Sequence, residues 1–292
     1  MANSLLINLI IDGIVLGCIY ALLAVGFSLL WWISGIVHIA HGAVMLVAGY
    51  ALYAVFQMMG FGLPIALICG FGAAVAVGAF AEASMYRPLL NRGTDEMGIL
   101  TASLGALIFL EYAVTIGFGP EGVTLDADVL RTPVAKGLPM VMDRFAVVVS
   151  LVTGSVFVGL WLLINKTQLG RGMRAMASNA ELASILGINA RRVNLYTAVI
   201  AAALCLPPAA FLLLSGGLVP AEALHMVLVA SVVAIFGGRG SLLGALVAGV
   251  IIGIIESAMT WHFAAGWRQL ITFLLLYLLL LVRPQGLFGE PG

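Results

Sequence analysis

Residues 5–33 read "LLINLIIDGIVLGCIYALLAVGFSLLWWI", with Asp12 as the one charged side chain. About 20 apolar residues in a helix cross the roughly 30 Å of bilayer hydrocarbon. A run this long and this apolar has no polar face to turn toward water, so it predicts a transmembrane helix. Asp12 falls close enough to the outer end to be solvated, which is where an ionisable group is affordable. Gly13 and Gly17 have GxxxG spacing, which lets helix backbones approach in lipid, and Gly249 and Gly253 repeat it.

The same reading extends along the chain. It predicts spans near 5–33, 37–59, 62–86, 97–118, 145–165, 195–215, 222–236, 242–259 and 266–282. The 222–259 region is interrupted by "FGGRGS" at 236–241. It reads either as two spans or as a pair of half-helices that enters and turns back. Pro207 and Pro208 fall mid-span and must break the helical ladder there. The expected fold class is therefore an all-α polytopic membrane protein with eight or nine transmembrane helices, some of them broken or re-entrant, in a single transmembrane domain over 1–292.

Composition agrees. Of 292 residues, 63% are hydrophobic and 9% charged. A soluble domain carries about a quarter charged residues. The formal net charge of zero leaves no basic patch for nucleic acid. Cys18, Cys69 and Cys205 lie in apolar runs without metal or redox spacing and read as small buried hydrophobes. The N-terminus has neither a basic leader nor a cleavage pattern, so the first span is expected to direct insertion itself. No P-loop, nucleotide fingerprint or Ser/His, HExxH or paired-Asp constellation is present, and no catalytic residue or cofactor is assigned.

Orientation follows from Lys and Arg. With the loop 166–194 in the cytoplasm, nine of the thirteen cations fall inside: Arg87, Arg92, Lys166, Arg171, Arg174, Arg191, Arg192, Arg239 and Arg283. This is the positive-inside bias. It places the C-terminus in the cytoplasm, and the segment 119–144, "GPEGVTLDADVLRTPVAKGLPMVMDR", outside as an irregular loop.

The inner loop holds the clearest local signal. In "SNAELASILGIN", Ser178 or Asn179 can cap a short helix and Glu181 suits its first turn. Leu182, Ile185 and Leu186 cluster on one face. Gly187 is placed to end the helix in a left-handed conformation. About two turns of apolar-faced helix cannot stand alone in water. The helix either lies on the membrane face of its own protein or docks into a groove of a cytoplasmic partner.

Here a resemblance enters. The segment "GRGMRAMASNAELASILGINARRV" at 170–193 resembles the coupling loop of branched-chain amino acid permease subunits (the H-type permease) of ATP-binding-cassette importers. In the same order stand "IYALLAVGFSLLWWISGIVHIAHG" at 19–42, "EASMYRPL" at 82–89, "FGGRGSLLGALVAGVIIGIIES" at 236–257 and "RPQGLFG" at 283–289. The resemblance implies an eight- to ten-helix permease of the type II importer class in a bacterial inner membrane. It also implies a second, homologous permease subunit in a heterodimer, two cytoplasmic ATPases and a periplasmic substrate-binding protein. Arg174, Asn179, Ala180, Glu181, Leu182, Ile185, Leu186 and Gly187 then fall on the ATPase-coupling helix. Two positions depart from the family's pattern: His38 stands where it has Asn in "N-F-A-H-G", and Glu111 where a neutral residue or amide is expected. Branched-chain or other small hydrophobic amino acids are the leading substrates within the family, with urea or short amides as the alternative.

The departures direct attention to polar groups in the spans. His38 and His41, i and i+3 on a helix, would share one face. A metal needs further ligands, and His225 and His262 are remote in sequence. The pair either hydrogen-bonds backbone loosened by Gly35 and Gly42, or helps line the translocation pathway with Gly42, Glu111 and Pro207. Glu82 is expected to pair with Arg87, Glu256 to sit near the outer face, and Glu111 to be the deepest carboxylate. A proton-coupled secondary transporter using Glu111 and the histidines is the competing reading. It works alone, whereas an importer subunit is inert without its ATPases.

Overall fold

The computed structural model describes residues 2–125, 144–262, 267–283 and 285–288. Most of the expected outer loop, 126–143, lies outside the described residues. The elements are α1 (Ala2–Ser34), α2 (His41–Tyr53), α3 (Leu63–Ala81), α4 (Arg87–Asn91), α5 (Glu96–Phe118), α6 (Arg144–Lys166), α7 (Gln168–Ser178), α8 (Ala180–Ile185), α9 (Ala190–Ala203), α10 (Leu206–Ser215), α11 (Ala223–Gly237), α12 (Leu242–His262) and α13 (Arg268–Val282). π-helical turns follow α2 at Ala54–Met58 and α3 at Glu82–Tyr86, and a 3₁₀ turn at Pro220–Glu222 leads into α11.

Among the described residues, eight helical segments are long and apolar enough to cross a membrane: Ile7–Ser34, His41–Met58, Leu63–Asn91, Glu96–Phe118, Arg144–Lys166, Ala190–Ser215, Pro220–Gly237 and Leu242–Met259. The two halves of 222–259 are each long enough to cross separately. The ninth expected span is represented by α13, whose apolar stretch Leu270–Val282 is shorter than the rest.

Two boundaries differ from expectation for physical reasons. The second span does not start at 37. Gly35 adopts φ +72°, a left-handed conformation that glycine alone takes without strain, and it terminates α1. Residues 35–40 are non-helical, so His38 lies in a break and does not share a helix face with His41. The third span runs beyond 86 because the π turn carries it into α4. At Pro207 the expected break is present: α9 ends at Ala203 and α10 starts at Leu206, with Pro207 in the first turn, where its missing N–H costs nothing.

The contacts gather into two compact units. One comprises residues 1–25, 126–157 and 229–292. In it the GxxxG pairs close on one another: a Cβ on Gly13 would strike Gly253 and Ile254, and one on Gly17 would strike Gly249 and Val250. Glu256 is fully enclosed there, accepting a hydrogen bond from Tyr20 Oη at 2.8 Å and another from Thr272. Two partners make this burial tolerable. Near the C-terminus, Leu287 N–H donates to Phe236 O at 2.8 Å and Phe288 N–H to Gly237 O at 3.1 Å.

The other unit comprises residues 26–125 and 158–228. At its centre α2 is buried along most of its length, packed on α3, α5 and α10. Small residues allow this. Gly70 lies against Ala48 O, Gly78 against Ala202, and Gly42 against the carbonyl of Ala223. Val123 and Leu218 exchange backbone hydrogen bonds at 2.9 and 3.1 Å, and Tyr50 Oη donates to Leu218 O at 3.0 Å, tying the ends of α5, α10 and α2 together.

Candidate functional site

Breaking a helix inside a membrane frees backbone groups that must be satisfied. After α1 ends, the Ala40 N–H is taken by Ser103 Oγ on α5 at 2.9 Å. Ser103 also accepts from Tyr86 Oη at 2.8 Å. Tyr86 ends the π turn, and its oxygen meets Nδ1 of His38, the rings lying edge-on with centroids 5.2 Å apart. Tyr86 Oη is thus shared between His38 and Ser103. His38, Tyr86 and Ser103 are all buried.

His41, the first residue of α2, is fully buried and its ring centroid is 5.6 Å from that of His38. The thiol of Cys205, in the joint between α9 and α10, lies 3.5 and 3.6 Å from its two ring nitrogens. The sulfur is close to both ring nitrogens and favours neither. A Cβ on Gly26 would lie 2.8 Å from Nε2 of His41, so that glycine makes room for the imidazole against α1. Three departures from regular helix, the α1–α2 break, the π turn before α4 and the α9–α10 joint, thus converge on two histidines. π-helical turns occur often at functional sites.

Of the residues assigned to a pathway from sequence, His38, His41 and Gly42 are brought together, and Pro207, in the first turn of α10, is two residues from Cys205. Glu111 is not with them. It lies on α5 two turns beyond Ser103 and is only partly buried, so it is not the most enclosed carboxylate; Glu256 and Glu82 are more so. Glu82 does not form the expected ion pair with Arg87. The π turn, closed by Arg87 N–H donating to Glu82 O, leaves Glu82 2% exposed while Arg87 stays half-buried. Its Oε2 has no hydrogen-bond partner among the described residues. Among the described residues no three His, Cys, Asp or Glu side chains gather into a metal-ligand set. Sequence reasoning missed Tyr86, Ser103 and Cys205. Tyr86 stood within a quoted motif, but nothing local marked Ser103 or Cys205 as its neighbours in space.

The second constellation lies between α6 and α9. Asn179 caps α8, its Oδ1 accepting from Leu182 N–H at 2.9 Å. Gly187, at φ +85°, ends it, with Gly187 N–H on Ser184 O and Ile188 N–H on Ala183 O, both at 3.0 Å. The side chain of α8 buried within its own unit is Ala183. Leu182, Ile185 and Leu186 stand out at 56, 74 and 81% exposure. Behind them Arg174 donates to Ile164 O, pinning α7 to the end of α6, and a Cβ on Gly170 would strike the carbonyls of Leu163 and Ile164.

The comparisons with known proteins decide the family. The branched-chain amino acid transport system / permease component family matches over residues 9–280. The chain belongs to that family. The permease is 30% identical over 294 residues to the high-affinity branched-chain amino acid transport system permease protein BraD of Pseudomonas aeruginosa, covering 97% of this chain and 95% of the relative. It is 31% identical over 292 residues to the permease protein LivH of Escherichia coli K12, covering 96% and 94%. It is 25% identical to the probable LivH of Methanocaldococcus jannaschii, covering 97% and 92%. No solved structure matches. The permease is thus a multi-pass membrane transport subunit, in a family of transport components and not of enzymes.

Proposed function

We propose that this permease is one of two homologous membrane subunits of an ATP-binding-cassette importer. It carries branched-chain or other small hydrophobic amino acids, delivered by a periplasmic binding protein, across the bacterial inner membrane. Residues 1–292 act as one permease domain, with 119–144 outside and 166–194 and the C-terminus in the cytoplasm. Two ATPases bind on the cytoplasmic side through α8.

The exposed Leu182, Ile185 and Leu186 carry this reading. Two large apolar side chains on a capped, six-residue helix and a third at its C-cap, Leu186, are held out on the polar side of two spans, and burying them on a partner gives the helix the stability it lacks alone. Closing of the ATPases moves α8, and through Arg174 and α7 the movement reaches α6 and α9. The His38–His41 cluster, with Gly42 and Pro207, is the element in the membrane that responds, because irregular backbone there has more than one way to satisfy its hydrogen bonds.

The test is a mild-detergent pull-down from the native membrane with mass spectrometry. Two ATPase chains, a second permease and a binding protein that retains a branched-chain amino acid are expected. A lone, monodisperse chain that transports with a proton gradient and no ATPase would overturn the proposal.

A further inference from the structure

Beside α8, between α7 and the start of α9, lies a cleft of about 640 Å³. Its floor is Val193, close-packed where Gly172 of α7 lets the two helices meet. Gln168, Arg171, Asn189, Arg192 and Tyr196 line it, and among the described residues no acidic side chain does. The arginines of this region differ in what they already do. Arg174 is committed to Ile164 O. Among the described residues, neither Arg171 nor Arg192 makes an ion pair or a side-chain hydrogen bond.

The level of the cleft is fixed by the helices around it. The span Ala190–Ser215 starts within its wall, and the span Arg144–Lys166 ends just before Gln168. Lys166 lies 5.9 Å over the ring of Trp161, the pairing of a cation and an aromatic typical of a headgroup layer. Tyr196, one turn into the span from Arg192, is 50% exposed, so the wall of the cleft runs on to the surface that meets acyl chains. Two uncommitted guanidiniums above an apolar floor and an interfacial tyrosine suit a phosphodiester with hydrocarbon attached.

We propose that this cleft binds the headgroup of an anionic phospholipid. Arg171 and Arg192 hold the phosphate, Gln168 and Asn189 supply further hydrogen bonds, and the glycerol backbone lies along Val193 and Tyr196. The lipid then braces α7 against α9 beside the coupling helix. Only the leaflet, the cytoplasmic one, depends on the function proposed above; the binding site does not.

The experiment uses the full-length chain in phosphatidylcholine vesicles doped with photoactivatable phosphatidylglycerol, with crosslinks mapped by mass spectrometry. Crosslinking to the segment around Val193 and Tyr196 is expected, falling roughly tenfold or more in the Arg171→Gln/Arg192→Gln variant, since each interfacial cation contributes about fivefold. Arg171→Lys/Arg192→Lys, which keeps the charge, retains most of it and controls for folding. Arg92→Gln, which removes an exposed cation outside the cleft, leaves it unchanged. Equal labelling by a photoactivatable phosphatidylcholine, or equal loss with Arg92→Gln, would reduce the effect to diffuse attraction and overturn the proposal. Displacement by inorganic phosphate would assign the cleft to a soluble anion, and loss of labelling on adding the ATPases would assign it to them; either also overturns it. No ATPase is needed for the first measurement, so its failure is distinct from failure of the importer reading.

Discussion

The thiol of Cys205 stands 3.5 Å from Nε2 of His41, across 164 residues of chain. The contact joins the start of α2 to the joint between α9 and α10, two places where a helix inside the membrane is interrupted. A fully buried imidazole at such a junction either holds a static structure together or sets the balance between two arrangements of the joint. His41→Ala separates these roles. Transport is expected to fall roughly tenfold, about 1.4 kcal/mol of differential stabilisation, while the amount of assembled complex changes little. The comparison is substrate uptake into proteoliposomes against co-purification of the partner subunits. Equal loss of both would make the residue structural only.

Tyr86 is the hinge of the polar network, its hydroxyl meeting both His38 Nδ1 and Ser103 Oγ. Tyr86→Phe leaves Nδ1 of a buried imidazole without its partner. An orphaned buried polar group costs about 1–3 kcal/mol. The midpoint of thermal unfolding in detergent should drop by several degrees, at about 2–4 °C per kcal/mol for a domain of this order of size. Tyr86→Phe with Ser103→Ala should cost less than the sum of the single changes, because both act on one network. Strict additivity in the melts would mean that the network does not exist as a unit.

How much of this was legible in the sequence depends on the range of the physics involved. Long apolar runs announce their spans because length and hydropathy are local, and α8 was legible because Asn179, Leu182 and Gly187 mark a cap, a face and a stop within nine residues. The break before α2 was placed after residue 33 but read too short, because Gly35 marks where α1 stops and nothing local shows that residues 37–40 stay non-helical. The enclosure of Glu82 and the openness of Glu111 were not legible, because depth along a helix and enclosure by neighbours are separate quantities. A π turn turns Glu82 inward, while α5 leaves Glu111 partly open. That His41 meets Cys205 required the fold.

Gly42 gives a sharper steric test. A Cβ there would overlap the carbonyl of Ala223, a backbone atom that cannot rotate aside. Gly42→Ala is expected to cost about 1–3 kcal/mol by overpacking and to lower the yield of monodisperse protein. Gly154→Ala in α6, where nothing lies within 4 Å, should be neutral or slightly stabilising because alanine is the better helix former. Size-exclusion profiles and melts of the two variants make the comparison. A neutral Gly42→Ala would show that α2 is not seated on α11 in this way.

The coupling helix yields a graded pair. Leu182 and Leu186 are one turn apart on the exposed side of α8 and touch little of their own chain, so charging them should leave the fold intact. Leu182→Asp with Leu186→Asp should abolish substrate-stimulated ATP hydrolysis by the assembled transporter without lowering membrane insertion, since two carboxylates cannot enter an apolar groove unpaired. Asn179→Ala acts differently. It leaves the apolar side chains in place but removes the cap, which costs about 1 kcal/mol of helix stability. Coupling should then weaken by about fivefold and recover with Asn179→Ser or Asn179→Asp, which cap equally well. Insertion is followed by quantitative immunoblot of membranes and coupling by phosphate release in proteoliposomes. If ATP hydrolysis still responds to substrate in the double aspartate variant, α8 is not where the ATPases dock, and the exposed leucines need another occupant.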